Sequence, residues 1–395
     1  MIPVSEARRL VRENTSRLGA ALMPLEQALG LSLAEDVASP IDIPAFPQSS
    51  MDGYAFALES LSGHGGLKVI GTLAAGTDLP MRLQSGEAAR IFTGAPLPEG
   101  ADTVAMQEKC TRDGDLLRIE ETPSKGANVR LPGTEAARGA VALAAGQTLT
   151  PAAIGFLSGL GLTEARVYPT PSVSILVTGD ELQEPGRPLR FGQVYESNSR
   201  SLTAALRMMG VGRIRKAVCP DDRETLRETL ETELEASDLV LLTGGVSVGD
   251  YDFVAGAAEA CGVEKVFHRV RQKPGKPLFF GVRQGKPVFG LPGNPASVLT
   301  CFYEYVTLAL DEMSARKQTL RTSHAKLMHA VRKPAGLTHF LKARHEDGTV
   351  TVLDGQESYK LNAFAMSDCL VVLDEETTAC EAGTIVQIHH LPEPC

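Results

Sequence analysis

The chain lacks most of the features that would assign it to a class at once. Its seven cysteines, at positions 110, 219, 261, 301, 369, 380 and 395, are odd in number and scattered, with no CxxC pair. That excludes a disulfide framework and a cysteine-ligated structural zinc, and it reads as the reduced thiols of a cytoplasmic protein. No window approaches the roughly 18 consecutive apolar residues of a spanning helix. The stretch Met1–Leu18 carries Arg8, Arg9, Arg12 and Arg17 between apolar residues and has no apolar core for secretion. Basic residues are the minority: 39 Lys and Arg against 48 Asp and Glu give a formal charge of −9. A broad nucleic-acid or acidic-membrane surface is therefore not expected, and an anionic ligand must meet a local positive pocket. No GxxxxGK(S/T) is present and no GxGxxG follows a strand-like run, which disfavours P-loop NTPases and dinucleotide dehydrogenases. No nucleophile stands at diagnostic spacing from a base, and the eight histidines are dispersed, so a covalent intermediate is not indicated. Internal repeats and low-complexity tracts are also missing.

What is present is ordinary globular material: 43% hydrophobic and 22% charged residues over 395 positions, enough for about two to four folding units. Ser5 is placed to cap a helix running toward Leu18, and Pro24 to start a short one ending at Gly30. Pro40, Pro44 and Pro47 make the stretch from Ala38 to Tyr54 extended, as in a domain crossing. From Ala55 to about Gly139, short apolar runs such as Lys68–Ile70, Ala89–Phe92 and Asp102–Met106 alternate with turn residues, which predicts a small inserted β domain. Thr150-Pro151 predicts a capped helix ending near Gly161. Between about Pro171 and Arg316, strands at Ser172–Val177, Ile214–Cys219, Leu239–Leu242 and Val288–Leu291 alternate with helices after Asn198, from Arg223, from Tyr251 and at Asn294. This is the pattern of an open, mostly parallel α/β sheet with helices on both faces. Runs at Leu370–Leu373 and Ile385–Ile388 predict a C-terminal β domain. The expected division is 1–45 plus 137–170 as a linker and dimerisation domain, 46–136 as the insertion, 171–320 as the α/β domain and 321–395 as the C-terminal domain.

In an open α/β sheet, ligands collect where strands end and helices begin. Three such ends are unusual here: Val177–Glu181, Leu242–Asp252 and Leu291–Pro295. Thr243, Gly244, Gly245 and Ser247 combine hydroxyls with glycines that let the backbone approach an oxyanion, although a tight strand–helix turn would need the same glycines. Lys273-Pro274-Gly275-Lys276-Pro277 holds two lysines three apart between prolines, suited to one anion; the bland reading is an exposed turn. Asp180, Glu181, Asp221, Asp222, Asp250 and Asp252 fall at strand ends, where hard oxygens in that number suit Mg²⁺. Helix capping competes for Asp221 or Asp222 and for Asp250. The Glu/Arg-rich run Arg223–Glu235 reads as a solvated helix face.

Six ordered motifs, SSMDGYA (49–55), RIFTGAPLPEG (90–100), VTGDEL (177–182), TGGVSVGDYD (243–252), KPGKP (273–277) and GLPGNP (290–295), carry a resemblance over nearly the whole chain. It resembles the bacterial molybdopterin molybdenumtransferases of the MoeA type, related to the C-terminal part of gephyrin. The resemblance implies a central domain of molybdopterin-binding type. It also implies insertion of molybdate into adenylylated molybdopterin with release of AMP, a Mg²⁺ requirement, and a homodimer with sites shared between subunits. Partners would extend to the molybdopterin adenylyltransferase and apo-molybdoenzymes. By motif position it assigns catalytic roles to Asp52, Thr93, Arg130, Asp252 and Lys273. Substrate binding falls to Thr243, Gly244, Gly245, Ser247, Arg269, Lys276, Pro292, Asn294 and Pro295, and the metal to Glu181 and Asp221. Arg269 stands where the family often has lysine, Lys342 where arginine is common, and Ser358-Tyr359-Lys360-Leu361-Asn362-Ala363 where tandem serines are common. The alternatives are the preceding adenylyltransferase step, a tungstate-preferring paralogue, and a non-catalytic scaffold.

Overall fold

A computed structural model describes residues 1–62, 65–78, 80–244 and 253–392. By internal contacts the chain forms two compact units. One comprises Met1–Met23, Ala28–Ala34 and the chain from Arg166 onward; the other comprises Pro24–Gln27 and Glu35–Ala165.

The first unit is organised by a six-stranded sheet. Its strands are β1 (Val173–Thr178), β2 (Ile214–Cys219), β3 (Leu239–Thr243), β4 (Glu264–His268), β5 (Phe279–Arg283) and β6 (Lys286–Leu291), in the spatial order β2-β1-β3-β6-β5-β4. The helices that connect or follow these strands are α1 (Asn198–Met208), α2 (Arg223–Ala236), α3 (Phe253–Ala260) and α4 (Pro295–Cys301). Strand alternation sorts the core. Val173, Ile175 and Val177 join Leu202 and Leu206 of α1 on one face, while Leu176 joins Leu226, Leu230 and Leu234 of α2 on the other. Each such buried aliphatic side chain is worth about 1.5–3 kcal/mol in transfer from water. Asp222 caps α2, its Oδ1 accepting from the Thr225 amide at 2.8 Å.

The sheet is mixed where the sequence pattern suggests mostly parallel pairing. β2, β1, β3 and β6 run parallel, but β5 is antiparallel to β6, and β4 to β5. The cause is local. Arg283 pairs with Lys286, so only Gln284 and Gly285 connect β5 to β6, and both have positive φ (51° and 80°). That is the geometry of a tight hairpin turn whose twist matches the flanking strands.

The N-terminal helix also departs from expectation. It spans Val4–Glu13 with Pro3 at its cap position, so Ser5 lies inside the first turn. It stops before Leu18, where Asn14 and Thr15 bond back to the carbonyls of Leu10 and Val11. Pro24 ends a short strand, Ala21–Pro24, and only a single turn, Leu25–Gln27, follows it.

The C-terminal strands Thr338–Glu346, Thr349–Val352, Thr322–Leu327, Ile385–His390 and Cys369–Leu373 pair in that order, and the last pairs with the first. A closed ring of this kind leaves no free edge around it. A sixth short strand, Gln272–Lys273, lies parallel to Thr338–His339. The ring is tied to the α/β part through Glu304, which is fully buried in a π-helical segment, Phe302–Val306. Its carboxylate takes Arg8 of the N-terminal helix at 2.6 Å and His389 of the ring at 2.7 Å. A buried carboxylate is tolerable only when paired in this way.

The second unit holds a six-stranded sheet in which Gly53–Phe56 lies between Thr103–Met106 and Glu87–Ile91. Phe56, Leu67 and Leu117 are fully buried in one core cluster against it, and Ile91 in another. Gly53 is obligatory, because a Cβ there would sit 1.9 Å from the Ala105 carbonyl oxygen. Thr150 caps the helix Pro151–Gly159, accepting from the Ala153 amide. No helix of the described residues is long and apolar enough to cross a membrane.

Candidate functional site

Parallel pairing of β2, β1, β3 and β6 brings four carboxyl ends to one edge of the sheet. The segments leaving those ends line a single cleft of about 910 Å³: Thr178–Glu181 in part after β1, Asp221 after β2, Gly244 after β3 and Pro292–Pro295 after β6. The fifth wall is Gln272–Pro277, and a sixth comes from Ser358-Tyr359 of the C-terminal region. Of the residues expected from sequence, Glu181, Asp221, Gly244, Lys273, Lys276, Pro292, Asn294 and Pro295 therefore meet here.

Two expected residues in the first unit, Thr243 and Arg269, have other placements, as does Lys342, which stands where the family commonly has arginine. Thr243 is 1% exposed, and its hydroxyl accepts from Asn198 Nδ2 at 3.0 Å, so it supports the cleft floor from inside the fold. Arg269 is exposed with a left-handed backbone (φ 80°) and does not line the cleft. Lys342 is 2% exposed and is spent on three backbone carbonyls, Gly355 at 2.6 Å, Lys360 at 3.1 Å and Glu357 at 3.2 Å. Burial holds its pKa below the usual lysine value, and its role is to shape the 355–360 loop. Gly245, Ser247 and Asp252 lie outside the described residues.

Gly244 shows why the β3 end needs glycine. Its φ is 91°, and a Cβ there would meet the Thr178 carbonyl oxygen at 2.0 Å, so the two strand ends touch backbone to backbone. Beside them Asp221 accepts a short bond from the Thr178 hydroxyl and donates its amide to Asp180 Oδ1 at 3.2 Å. Asp221 and Glu181 thus present two carboxylates to the same cleft. Among the described residues no group of three or more His, Cys, Asp or Glu is gathered closely enough to hold a metal by protein ligands alone.

Lys273 and Lys276 are exposed within the cleft. The loop that carries them is fixed by a residue that sequence reasoning passes over. Gln272 is fully buried; its amide nitrogen donates to the carbonyls of Pro274 (3.1 Å) and Gly275 (3.2 Å), and its Oε1 accepts a short bond from the Tyr305 hydroxyl. Burial pushes that Tyr305 hydroxyl well above its ordinary pKa, so it stays a donor. Behind Lys273 its register partner His339 is 6% exposed, and burial together with Lys333 and Lys273 lowers its pKa to about 4. It is therefore neutral at physiological pH and adds no charge to the lysines.

Asn198 and Ser358 are the other contributors that no spacing reveals. Asn198 Nδ2 reaches the Gly293 carbonyl at 2.8 Å, and Asn294 Nδ2 donates to Ser358 Oγ at 2.8 Å. A polar residue opening a helix after an extended run, as in Glu196-Ser197-Asn198, is the only trace of this in the sequence.

Asp52, Thr93 and Arg130 belong to the second unit. Asp52 precedes the strand Gly53–Phe56 and Thr93 follows its antiparallel neighbour, so the register sets them side by side. Asp52 Oδ1 accepts from both the Thr93 amide and its hydroxyl at 2.8 Å. Those bonds, with the nearby charge of Arg90, hold the carboxyl below its usual pKa. Arg130, opposite Gln48, is exposed.

Three family models together span most of the chain. The MoeA N-terminal region (domain I and II) matches residues 2–161, a probable molybdopterin binding domain matches 174–312, and the MoeA C-terminal region (domain IV) matches 324–391. The chain is 35% identical to the molybdopterin molybdenumtransferase of Haemophilus influenzae, with 92% of each chain covered. It is 34% identical to molybdopterin molybdenumtransferase 2 of Mycobacterium tuberculosis, over 99% of this chain and 100% of that one. Among solved structures, a molybdopterin biosynthesis MoeA protein from Pyrococcus horikoshii superposes with a TM-score of 0.84 at 32% identity, covering 99% of both chains.

Proposed function

The chain belongs to the MoeA family of molybdopterin molybdenumtransferases, enzymes of molybdenum cofactor biosynthesis, and from that premise we propose that its cleft inserts molybdate into adenylylated molybdopterin and releases AMP. The observation that carries this reading is the meeting of two lysines, two carboxylates and a glycine-lined strand end in one cleft. Lys276 and the Gly244 backbone, with Gly245 and Ser247, hold the phosphate groups. Each charge-assisted hydrogen bond to phosphate is worth about 1.5–3 kcal/mol. Lys273 attracts the molybdate dianion, and Asp252 orients the attacking group.

Two carboxylates without further protein ligands fit Mg²⁺, which keeps waters and shares its coordination with substrate phosphates. Glu181 and Asp221 would hold it, and its contribution when bound is Lewis-acid polarisation of the phosphate oxygens. What the chain itself does is position groups. Asp221 is oriented by Thr178, Lys273 and Lys276 are oriented through Gln272, and no side chain is required as a covalent nucleophile. We further propose that the enzyme is a cytoplasmic homodimer in which Asp52 and Thr93 of one subunit serve the cleft of its partner; a half-buried carboxylate bonded to an exposed threonine supports this.

The test is Lys276→Ala. Because the side chain is exposed, melting should be unchanged while the affinity for a phosphorylated pterin, read by calorimetry, falls. Unchanged affinity with normal melting removes Lys276 from the site.

A further inference from the structure

Aromatic side chains make up only 5% of this chain, which has no tryptophan. The largest of them, including Phe56, Phe279, Phe289 and Tyr305, are fully buried. Two tyrosines behave differently. Tyr195 and Tyr359 are 45% and 62% exposed, and both line the cleft that holds the two lysines. Among the described residues neither ring packs against another ring or a cation.

Each ring is nonetheless carried on a fixed frame. The Tyr195 hydroxyl donates to the Arg187 carbonyl at 2.9 Å. Tyr359 sits in the loop held from beneath by Lys342, and its neighbour Ser358 is held twice, by the Ala296 amide at 3.1 Å and by Asn294. Between the two tyrosines the cleft rim is continuous. Asn198, three residues after Tyr195, bonds to Gly293, and Asn294 bonds to Ser358, beside Tyr359. A rim of amides and a hydroxyl between two presented rings offers stacking faces together with donors and acceptors at their edges. An aliphatic ligand would use the first and waste the second.

We propose that Tyr195 and Tyr359 form an aromatic subsite for the planar nitrogen heterocycle of a phosphate-bearing ligand whose phosphate is taken by the lysines. This rests on the function proposed above, which supplies two such heterocycles, pterin and adenine. The subsite gives the cleft a selectivity that the lysines alone do not have, because any anion satisfies a lysine. Stacking of a base on an aromatic side chain contributes about 1–3 kcal/mol by alanine substitution, which corresponds to about 5- to 150-fold in affinity.

Three probes separate the possibilities: AMP, hydroxymethylpterin monophosphate, and ribose phosphate, which has no ring to stack. Calorimetry on the full chain should show Tyr359→Ala and Tyr195→Ala weakening one of the two heterocyclic probes by about 5- to 150-fold. Ribose phosphate affinity and melting should be unchanged, and Tyr359→Phe should restore most of the loss. The heterocycle whose affinity responds is the occupant. If both alanine variants bind both heterocycles as the wild type does, or lose ribose phosphate equally, the subsite is refuted while the proposed function stands. If the wild type binds neither heterocycle, it is the proposed function that fails, and the subsite with it.

Discussion

Replacing Gln272 by leucine should uncouple the two-lysine loop from the core at a cost that can be worked out group by group. The leucine is close in volume but has no polar atoms. Four partners lose a bond: the carbonyls of Pro274 and Gly275, the Cys301 sulfur and the hydroxyl of Tyr305. The net worth of a hydrogen bond is about 0.5–1.5 kcal/mol, and a buried group left unsatisfied costs about 1–3 kcal/mol. Pro274 and Gly275 are buried, as is Tyr305, and only the Gly275 carbonyl keeps another donor, the Cys301 thiol. The Pro274 carbonyl and the Tyr305 hydroxyl left unsatisfied, at about 1–3 kcal/mol each, give a loss of about 2–6 kcal/mol of stability. Tyr305→Phe removes one bond and should cost about 1–2 kcal/mol. Urea denaturation reads both. The functional signature is a rise in KM for the phosphorylated substrate that exceeds the fall in kcat, because Lys273 and Lys276 persist but are no longer held in place. A Gln272→Leu protein with a wild-type urea midpoint and unchanged KM would refute the argument.

Three further outcomes follow from the same geometry. Gly244→Ala should lose about 2–4 kcal/mol of stability, since it combines a left-handed backbone with a carbonyl clash, and should retain no activity; a soluble, active variant melting as wild type would contradict this. His339 has a folded pKa of about 4 against an ordinary 6.5, so between those values the unfolded chain binds the extra proton and stability rises with pH. That contribution is lost as pH falls from about 6.5 to about 4, to at most about 3 kcal/mol, and His339→Gln should flatten the difference; parallel stability–pH curves would refute it. Mixing Asp52→Ala and Asp252→Ala proteins under subunit exchange should recover activity toward half of wild type per heterodimer, whereas proven exchange with no recovery would assign both residues to one subunit's site.

The sheet edge was legible because its signals are local. Ile214–Cys219 and the helix from Arg223 follow from periodicity and from Asp222 as a cap, and the Gly244 turn from glycine itself. The antiparallel β5 was missed because Phe279–Arg283 lies before a two-residue turn, Gln284-Gly285, that lacks the usual Asn-Gly signature. The cleft's supports were missed for a different reason. Gln272, Asn198 and Ser358 act through partners 33, 95 and 64 residues away, and no sequence period encodes such contacts. Thr243 shows the converse: its place in a glycine-rich motif is plain in the sequence, but its burial in the strand and its bond to Asn198 are not. Lys342, one residue type away from the family's usual arginine, is engaged by three carbonyls of a loop whose course only the fold determines.

The most direct measurement is a single-turnover assay of AMP release from adenylylated molybdopterin by the purified full chain with Mg²⁺, with and without molybdate. The cleft described here predicts release that depends on molybdate and disappears in Glu181→Ala and Lys273→Ala proteins that melt as wild type. Release at the same rate without molybdate, or undiminished in both variants, would contradict it.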